Sequence, residues 1–553
     1  MNADAPRTDR GERMNQRPLS ASQRGYLLTC AVTAALAGFL FGFDTIVISG
    51  AEQKIQSLWR LDGVMHGLCM SAALWGTVFG ALFGGWPTER YGRRKTLLWI
   101  GVLYFVSAVG SGIAPEKYFF MLARFIGGLG VGIATVASPL YISEISPPQL
   151  RGRLAGMFQF NIVFGILIAF VSNYFIGKYV SESVAWRWML GVEAFPALLY
   201  TVLCFGIPES PRWLIVHGGR REAGAEVFRK INPALPEAEI EELVDTVAMS
   251  VGDLTTAAKF WTARLKVPIL LAILIAAFNQ LSGINAILYF APRLLGLAGV
   301  SNPLSASVGI GVTNLVFTFV GLWLIDKAGR RTLLYIGSLG YIASLAVCAF
   351  SFLTYPAFRV VSRAIDVETG ARQVLELDDP GTVLSESDRD AVRKEYSEAQ
   401  QSLAAATSRE AYAGEAFVIS DEAGPKEVER SAARIKGEAS TILGAKKFVV
   451  LFSIMAFIAA HAIGQGAVIW VFISEIFPNR NRAAGQALGS FTHWLFAASI
   501  TLLFPIAIGA FDAGALFAFF CAMMCLQLVW VKFMVPETKG VPLEEIQKKL
   551  GIQ

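Results

Sequence analysis

Gly84-x4-Glu89-Arg90-x-Gly92-Arg93-Arg94 and Gly321-x4-Asp326-Lys327-x-Gly329-Arg330-Arg331 are two copies of one pattern, about 237 residues apart. Each follows an apolar run. Gly42-Phe43-Asp44 and Gly283-Ile284-Asn285 repeat at a similar offset, about 241 residues. Further along, Ile142-Ser143-Glu144-Ile145 returns as Ile473-Ser474-Glu475-Ile476, and Pro208-Glu209-Ser210 as Pro536-Glu537-Thr538. These later offsets are longer by roughly 90 residues, the length of a polar stretch at 355–446. Four matches in one order with one shift describe a duplicated chain with an insertion in its second copy. Parallel repeats of this kind build many secondary transporters, whose substrate site lies near the midplane between the halves.

The composition agrees with a membrane setting. Of 553 residues, 54% are hydrophobic and 16% charged, and the mean hydropathy is +0.51. Soluble chains carry about a quarter charged residues, so a secreted, disordered or cytosolic protein is excluded. Apolar windows recur near 26–50, 64–86, 96–113, 117–142, 155–178, 186–207, 267–292, 304–326, 332–354, 447–475, 483–510 and 511–534. Each is long enough to cross a bilayer as a helix, and lipid forces each to satisfy its own backbone. The expected fold is an all-α membrane protein with twelve transmembrane helices in two pseudo-symmetric six-helix bundles.

The division follows from the windows: an N-terminal tail at 1–25, a first bundle at 26–207, a helical linker at 208–266, a second bundle at 267–534 and a C-terminal tail at 535–553. The tail at 1–25 is polar and basic, without the pattern of a cleaved signal peptide. Short loops at one end hold Arg90, Arg93, Arg94, Lys95, Arg151, Arg153, Lys327, Arg330, Arg331, Arg480 and Arg482. Excess Lys and Arg marks the cytoplasmic side. Both termini and the linker are therefore expected in the cytoplasm, and the 355–446 insertion outside. The insertion holds 12 Lys/Arg against 17 Asp/Glu and no His or Cys. Two helices are expected in it, at 386–412 after Ser387-x-x-Asp390 and at 426–442 after Gly424-Pro425. It reads as a solvated loop decoration more readily than as a lid, and its partner is unknown.

The six cysteines lie in apolar runs and read as packing residues. The four histidines show no metal-ligand spacing, so no metal or cofactor is expected. A net charge of +5, confined to loops, gives no reason to expect nucleic acid.

Ionisable groups inside a span are costly and are functional candidates. Asp44 in span 1 and Arg124 in span 4 stand at matching depths, so they can pair. Burial raises a carboxyl pKa and a guanidinium lowers it, so the pair can load and release a proton; it can equally be a static tie between spans. A neutral set gathers in the second half: Asn279, Gln280, Asn285 and Tyr289 in span 7, Asn314 in span 8, Gly466 and Trp470 in span 10, and His493 and Trp494 in span 11. Amides donate and accept hydrogen bonds, and indoles pack on C–H surfaces. Such a set suits a neutral polyhydroxylated ligand. At the cytoplasmic end, Glu89, Arg93, Arg94, Glu144, Arg151, Glu209 and Arg212 mirror Asp326, Arg330, Arg331, Glu475, Arg482 and Glu537. Pairs between the two groups would form a latch, made when that face is closed.

Pro208-Glu209-Ser210-Pro211-Arg212-Trp213-Leu214, Gln280-Leu281-Ser282-Gly283-Ile284-Asn285, Pro536-Glu537-Thr538-Lys539-Gly540 and the two Gly-Arg-Arg loops together resemble the sugar-porter family of the major facilitator superfamily. The resemblance covers nearly the whole chain except the N-terminal tail and 355–446. It implies the major facilitator fold and alternating access to one sugar site. It is similar to the bacterial xylose–proton symporters, whose coupling aspartate and arginine match Asp44 and Arg124, and to the animal glucose facilitators, which usually lack that aspartate. The family's sugar contacts carry over to Phe41, Gln280, Asn285, Asn314, Gly466, Trp470 and Trp494, with Tyr289 at the outer gate. Ile166, Asn279, His493 and Ala467 depart from the usual residues, which bears on the identity of the sugar. The expected function is proton-coupled import of a hexose or pentose across a bacterial inner membrane, without enzymatic activity. The alternatives are an uncoupled facilitator or a non-transporting sugar sensor.

Overall fold

The computed structural model describes residues 21–231, 235–249, 260–377, 385–409, 411–420, 423–478 and 480–552. Most of the tail expected at 1–25 and parts of the 208–266 linker lie outside these residues. Twelve helices among them are long and apolar enough to cross a membrane. They are Gly25–Leu58, Gly63–Phe83, Arg93–Ile113, Lys117–Ile145, Gly152–Tyr179, Glu182–Gly206, Ala263–Tyr289, Pro303–Ala328, Arg330–Thr354, Lys446–Ile476, Arg482–Ala510 and Ala513–Met534, numbered here as spans 1 to 12. Each matches an expected window. Span 1 runs eight residues further than the window that ended at 50, because Ala51 and Ile55 keep its buried face apolar.

Three spans are interrupted. Span 7 breaks at Gly283, whose φ of +86° is the left-handed conformation that glycine adopts without penalty. Span 10 breaks at Gly464 between Lys446–Ile463 and Gln465–Ile476. Span 6 is interrupted more mildly between Glu182–Gly191 and Ala194–Gly206, where Val192 and Glu193 keep right-handed helical backbone. Irregular backbone at membrane depth is tolerated where protein or a cavity surrounds it.

The apolar cores show how the halves meet. At the end carrying the insertion, one core runs through both halves, from Ile46 and Phe120 in the first to Ile287, Leu294 and Phe504 in the second. At the opposite end, where the Gly-Arg-Arg loops lie, the halves keep separate cores. Tyr104, Val131 and Tyr200 belong to one, and Leu271, Phe472 and Val531 to the other. Among the described residues, the two bundles therefore share a core at the insertion end and keep separate cores at the other.

The insertion differs from expectation in two ways. It contains three helices, Pro356–Leu377, Glu386–Thr407 and Pro425–Leu443. The first was not expected, because Pro356 reads as the end of an apolar run and the helix mixes small apolar and charged residues. The second is capped by Ser385, which accepts from the Asp388 N–H at 3.2 Å, and not by Ser387. It ends at Thr407 rather than 412. Nor is the insertion a solvated decoration: Phe358, Val360, Val361, Ala364 and Val367 are buried within the same core that joins the halves.

Candidate functional site

Asp44 and Arg124 face each other across spans 1 and 4, each 1% exposed. Arg124 Nη1 donates to Asp44 Oδ1 at 2.6 Å, and Nη2 donates to the Asp44 carbonyl at 2.9 Å. The second bond ties the guanidinium to the backbone of span 1 as well as to its carboxylate. Asp44 Oδ2 and Arg124 Nε have no partner. Breaking such a pair by removing one member costs about 3–5 kcal/mol, because the other charge stays buried.

A third ionisable group joins them. Glu193 sits at the break in span 6, 1% exposed, with neither carboxyl oxygen hydrogen-bonded. It lies within electrostatic reach of both Asp44 and Arg124. Two acids thus share one guanidinium in a buried interior, so the site holds one proton or one uncompensated charge. The sequence reading missed Glu193. Its signal was an acid inside the apolar run at 186–207, the same signal that identified Asp44. Tyr289, the expected outer gate, is buried on the insertion-end segment of span 7, beside Thr45 and within reach of Asp44 and Arg124. It connects the charged pair of one half to the other half.

The neutral set is brought together in part. Asn285 Nδ2 donates to Gln280 Oε1 at 2.7 Å, and Gln280 Nε2 donates to Asn279 Oδ1 at 3.0 Å. Gln280 Nε2 also lies 3.1 Å from His493 Nε2. The His493 ring stands between Trp470 and Trp494, at 5.2 and 4.8 Å between ring centres. Phe41 of span 1 meets Trp494 edge-on at 5.5 Å, so the first half contributes one wall. The Trp494 indole N–H is buried without a partner. A chain of amides beside an aromatic wall can bind a ligand that presents hydroxyls on its edge and C–H groups on its face. Asn314 and Gly466 are not joined to this set by a hydrogen bond or ring contact among the described residues. Gly466 packs instead against His461, whose Nδ1 bonds the Tyr341 hydroxyl at 2.7 Å.

The latch, expected only when that face is closed, is not made with the halves apart at this end. No described ion pair at the Gly-Arg-Arg end crosses between the halves. Arg93 forks onto Glu144 within the first half at 2.9 Å through both Nε and Nη2, and reaches Glu89 at 3.2 Å. Arg330 forks onto Glu475 within the second half at 3.1 and 2.8 Å, with Asp326 at 3.5 Å. The Arg93 and Arg94 N–H groups donate to Glu209, and those of Arg330 and Arg331 to Glu537. Gly92 and Gly329, at φ of +96° and +90°, make the turns that expose these N–H groups. Forked guanidinium pairs leave few donors for a partner across the gap. Burial raises the Glu209 carboxyl above its ordinary range, against the three N–H groups that favour the anion. Arg212 is exposed and Arg482 Nε lacks a partner; Glu475 pairs with Arg330 instead of Arg482. The side chain of Arg151 lies outside the described residues.

Sequence reading also missed a cluster at the insertion end, where Glu52 of span 1 meets His66 of span 2 and Arg293 beyond span 7. Glu52 fell past the expected end of span 1, and His66 was read only for metal spacing.

Comparison with known proteins identifies the family and the fold. A family model described as sugar (and other) transporter matches residues 30–367 and 433–550, passing over most of the insertion. The glucose transport protein of Synechocystis is 29% identical over 94% of this chain and 97% of its own length. The D-xylose-proton symporter of Escherichia coli is 29% identical over 94% of this chain and 95% of its own. The inward open structure of the E. coli xylose transporter superposes with a TM-score of 0.70 at 27% identity, covering 95% of this chain and all of that one. These relatives are transporters, not enzymes. With its twelve spans, its duplicated loops and a family match over both halves, the chain belongs to the sugar (and other) transporter family, as a multi-pass membrane transporter of the major facilitator fold.

Proposed function

We propose that the protein is a proton-coupled symporter that imports a hexose or pentose by alternating access. The observation that carries this reading is the buried Asp44–Arg124 pair at 2.6 Å with Glu193 beside it. A passive carrier has no need of two acids around one guanidinium in its interior. When a proton reaches Asp44, its ion pair is lost and the guanidinium turns to Glu193. When the proton leaves, the pair re-forms and grips the backbone of span 1. Because Arg124 also holds the Asp44 carbonyl, this exchange shifts span 1, which bears Phe41 on the aromatic wall. Proton state and ligand site are thereby linked through one helix.

The sugar reading rests on the Asn279–Gln280–Asn285 chain and the Trp470–His493–Trp494 wall, and on relatives named for glucose and xylose. His493 in place of an amide, and apolar Ile166 buried in span 5, alter the hydroxyl pattern that the site accepts. The Arg-rich end faces the cytoplasm under this reading, and the insertion faces outside a bacterial inner membrane. The structure is then closed outside, with its two halves separate inside.

The test is uptake of labelled D-xylose and D-glucose by proteoliposomes, with and without an inward-directed proton gradient. The reading expects one sugar to accumulate above equilibrium only with the gradient. Equal final uptake in both conditions identifies an uncoupled facilitator, and absence of counterflow identifies a sensor.

A further inference from the structure

The cluster at the insertion end has an arrangement that the transport site does not use. Arg293 Nη2 lies 2.7 Å from Glu52 Oε1, and Arg293 Nε donates to the same oxygen at 2.9 Å. His66 Nε2 approaches that oxygen too, at 3.0 Å, without the alignment of a hydrogen bond. Glu52 Oε2 has no partner. Two nitrogen-bearing side chains thus compete for one oxygen while its twin stands empty. Glu52 and His66 belong to the first half; Arg293 belongs to the second. The Glu52–Arg293 contact is therefore a tie between the halves, at the end where they are closed. Glu52 and His66 are fully buried, whereas Arg293 is partly exposed, which gives the cluster access to solution.

We propose that His66 is a second proton-binding site, separate from Asp44, and that its protonation releases the Glu52–Arg293 tie and opens the insertion end. Imidazole is the side chain whose charge ordinarily changes between about pH 5 and 8. With His66 neutral, Glu52 has one cationic partner, and that partner lies across the interface. With His66 charged, Glu52 is neutralised inside its own half. Arg293 then loses its counter-ion and faces an imidazolium. Arg293 Nη2 also donates to Gln56 Oε1 of span 1, a neutral bond that does not replace the lost counter-ion, and the Asp366 carboxyl of the insertion lies within reach of Arg293 in its own half, so the guanidinium has a charged partner to turn to.

The other groups around His66 do not replace this logic. On its own helix, Asp62 is engaged in capping Met65. From span 4, Lys117 reaches the next turn, at Cys69. From span 7, Phe290 meets the imidazole edge-on at 6.0 Å. On the insertion, Arg363 is paired with Asp366 and Asp512. Glu52 is eight residues beyond Asp44, about 12 Å along span 1 at ~1.5 Å per residue. The two sites are thus distinct but share a rigid helix.

The insertion is arranged to let go on one side. Its first helix holds the second half through Arg359 and Asp512 at 2.8 Å. It touches the first half through Arg60–Glu376 and Arg372–Glu182, each 3.9 Å. Exposed pairs of that length contribute little, so the insertion travels with the second half when the tie breaks. External acid, the condition that drives proton entry, would then favour the outward-facing state.

Spin labels at Tyr179→Cys and Phe511→Cys, both on exposed residues at the insertion end of opposite halves, report the opening. The background carries Cys521→Ser and Cys525→Ser, and the protein is held in nanodiscs without sugar or gradient. The proposal expects a longer-distance population on acidification that is lost as the pH is raised. His66→Gln should remove this response, and Arg293→Gln should give the longer population at low and raised pH alike. An unchanged distance in the wild type, or a pH response that survives in His66→Gln, overturns the proposal. Should His66→Gln fail to fold, a short distance in Arg293→Gln at low and raised pH alike overturns it equally. No transport is measured, so failure here is separate from failure of the symport reading.

Discussion

At the scale of single residues, the buried charges and the aromatic wall have different tolerances. Trp494 contributes a ring face between Phe41 and His493, at 5.5 and 4.8 Å. Aromatic contacts of this kind contribute about 0.5–1.5 kcal/mol beyond area burial. Trp494→Ala should weaken sugar binding about 2- to 10-fold, read by titration calorimetry with the sugar that accumulates. An unchanged affinity would remove Trp494 from the site. Asp44 and Arg124 were legible in the sequence because charge inside an apolar run is costly and demands a reason. Glu193 carried the same signal, an acid inside the apolar run at 186–207, and was passed over. Asn314 and Gly466 were placed by family position, which gives a residue's place in the chain, while its neighbours depend on packing that no motif encodes.

At the scale of elements, two features set the geometry. Span 7 turns at Gly283, where an added Cβ would meet the Phe520 ring at 2.7 Å. Left-handed backbone costs a residue with a side chain about 1–2 kcal/mol. Gly283→Ala should lower the apparent melting midpoint in detergent and weaken sugar binding, since Gln280 and Asn285 lie on either side of the break. Retention of both would show that the break is not needed to place the amides. The charge networks form the second feature. Arg93 and Glu144 are each 5% exposed, whereas Arg330 and Glu475 are 12% and 26% exposed. Stranding a buried guanidinium costs about 3–5 kcal/mol, and a partly exposed one about 1 kcal/mol or less. Glu144→Gln should therefore depress the melting midpoint more than Glu475→Gln; equal effects would contradict the difference in burial. The spans were legible because lipid imposes length and apolarity. The Pro356–Leu377 helix was not, because its burial comes from the underlying bundle and not from a hydrophobic period of its own.

At the scale of the molecule, the duplicated loops gave the two halves, and the offset jump located the insertion. What they could not give was which ends meet, since that depends on one shared core against two separate ones. Orientation is tested by labelling with a membrane-impermeant thiol reagent. Ser397→Cys, on an exposed face of the insertion, should react in intact cells, and Arg153→Cys, exposed at the opposite end, only after permeabilisation. The reverse pattern would invert the topology. The central claim is that sugar and proton cross together by way of Asp44. Its most direct measurement is sugar-evoked internal acidification of proteoliposomes carrying a trapped pH dye, with no gradient imposed. The wild type should acidify when sugar is added outside, and Asp44→Asn should not, while still exchanging labelled sugar across the membrane. Acidification that persists in Asp44→Asn, or sugar entry without acidification in the wild type, would contradict the account.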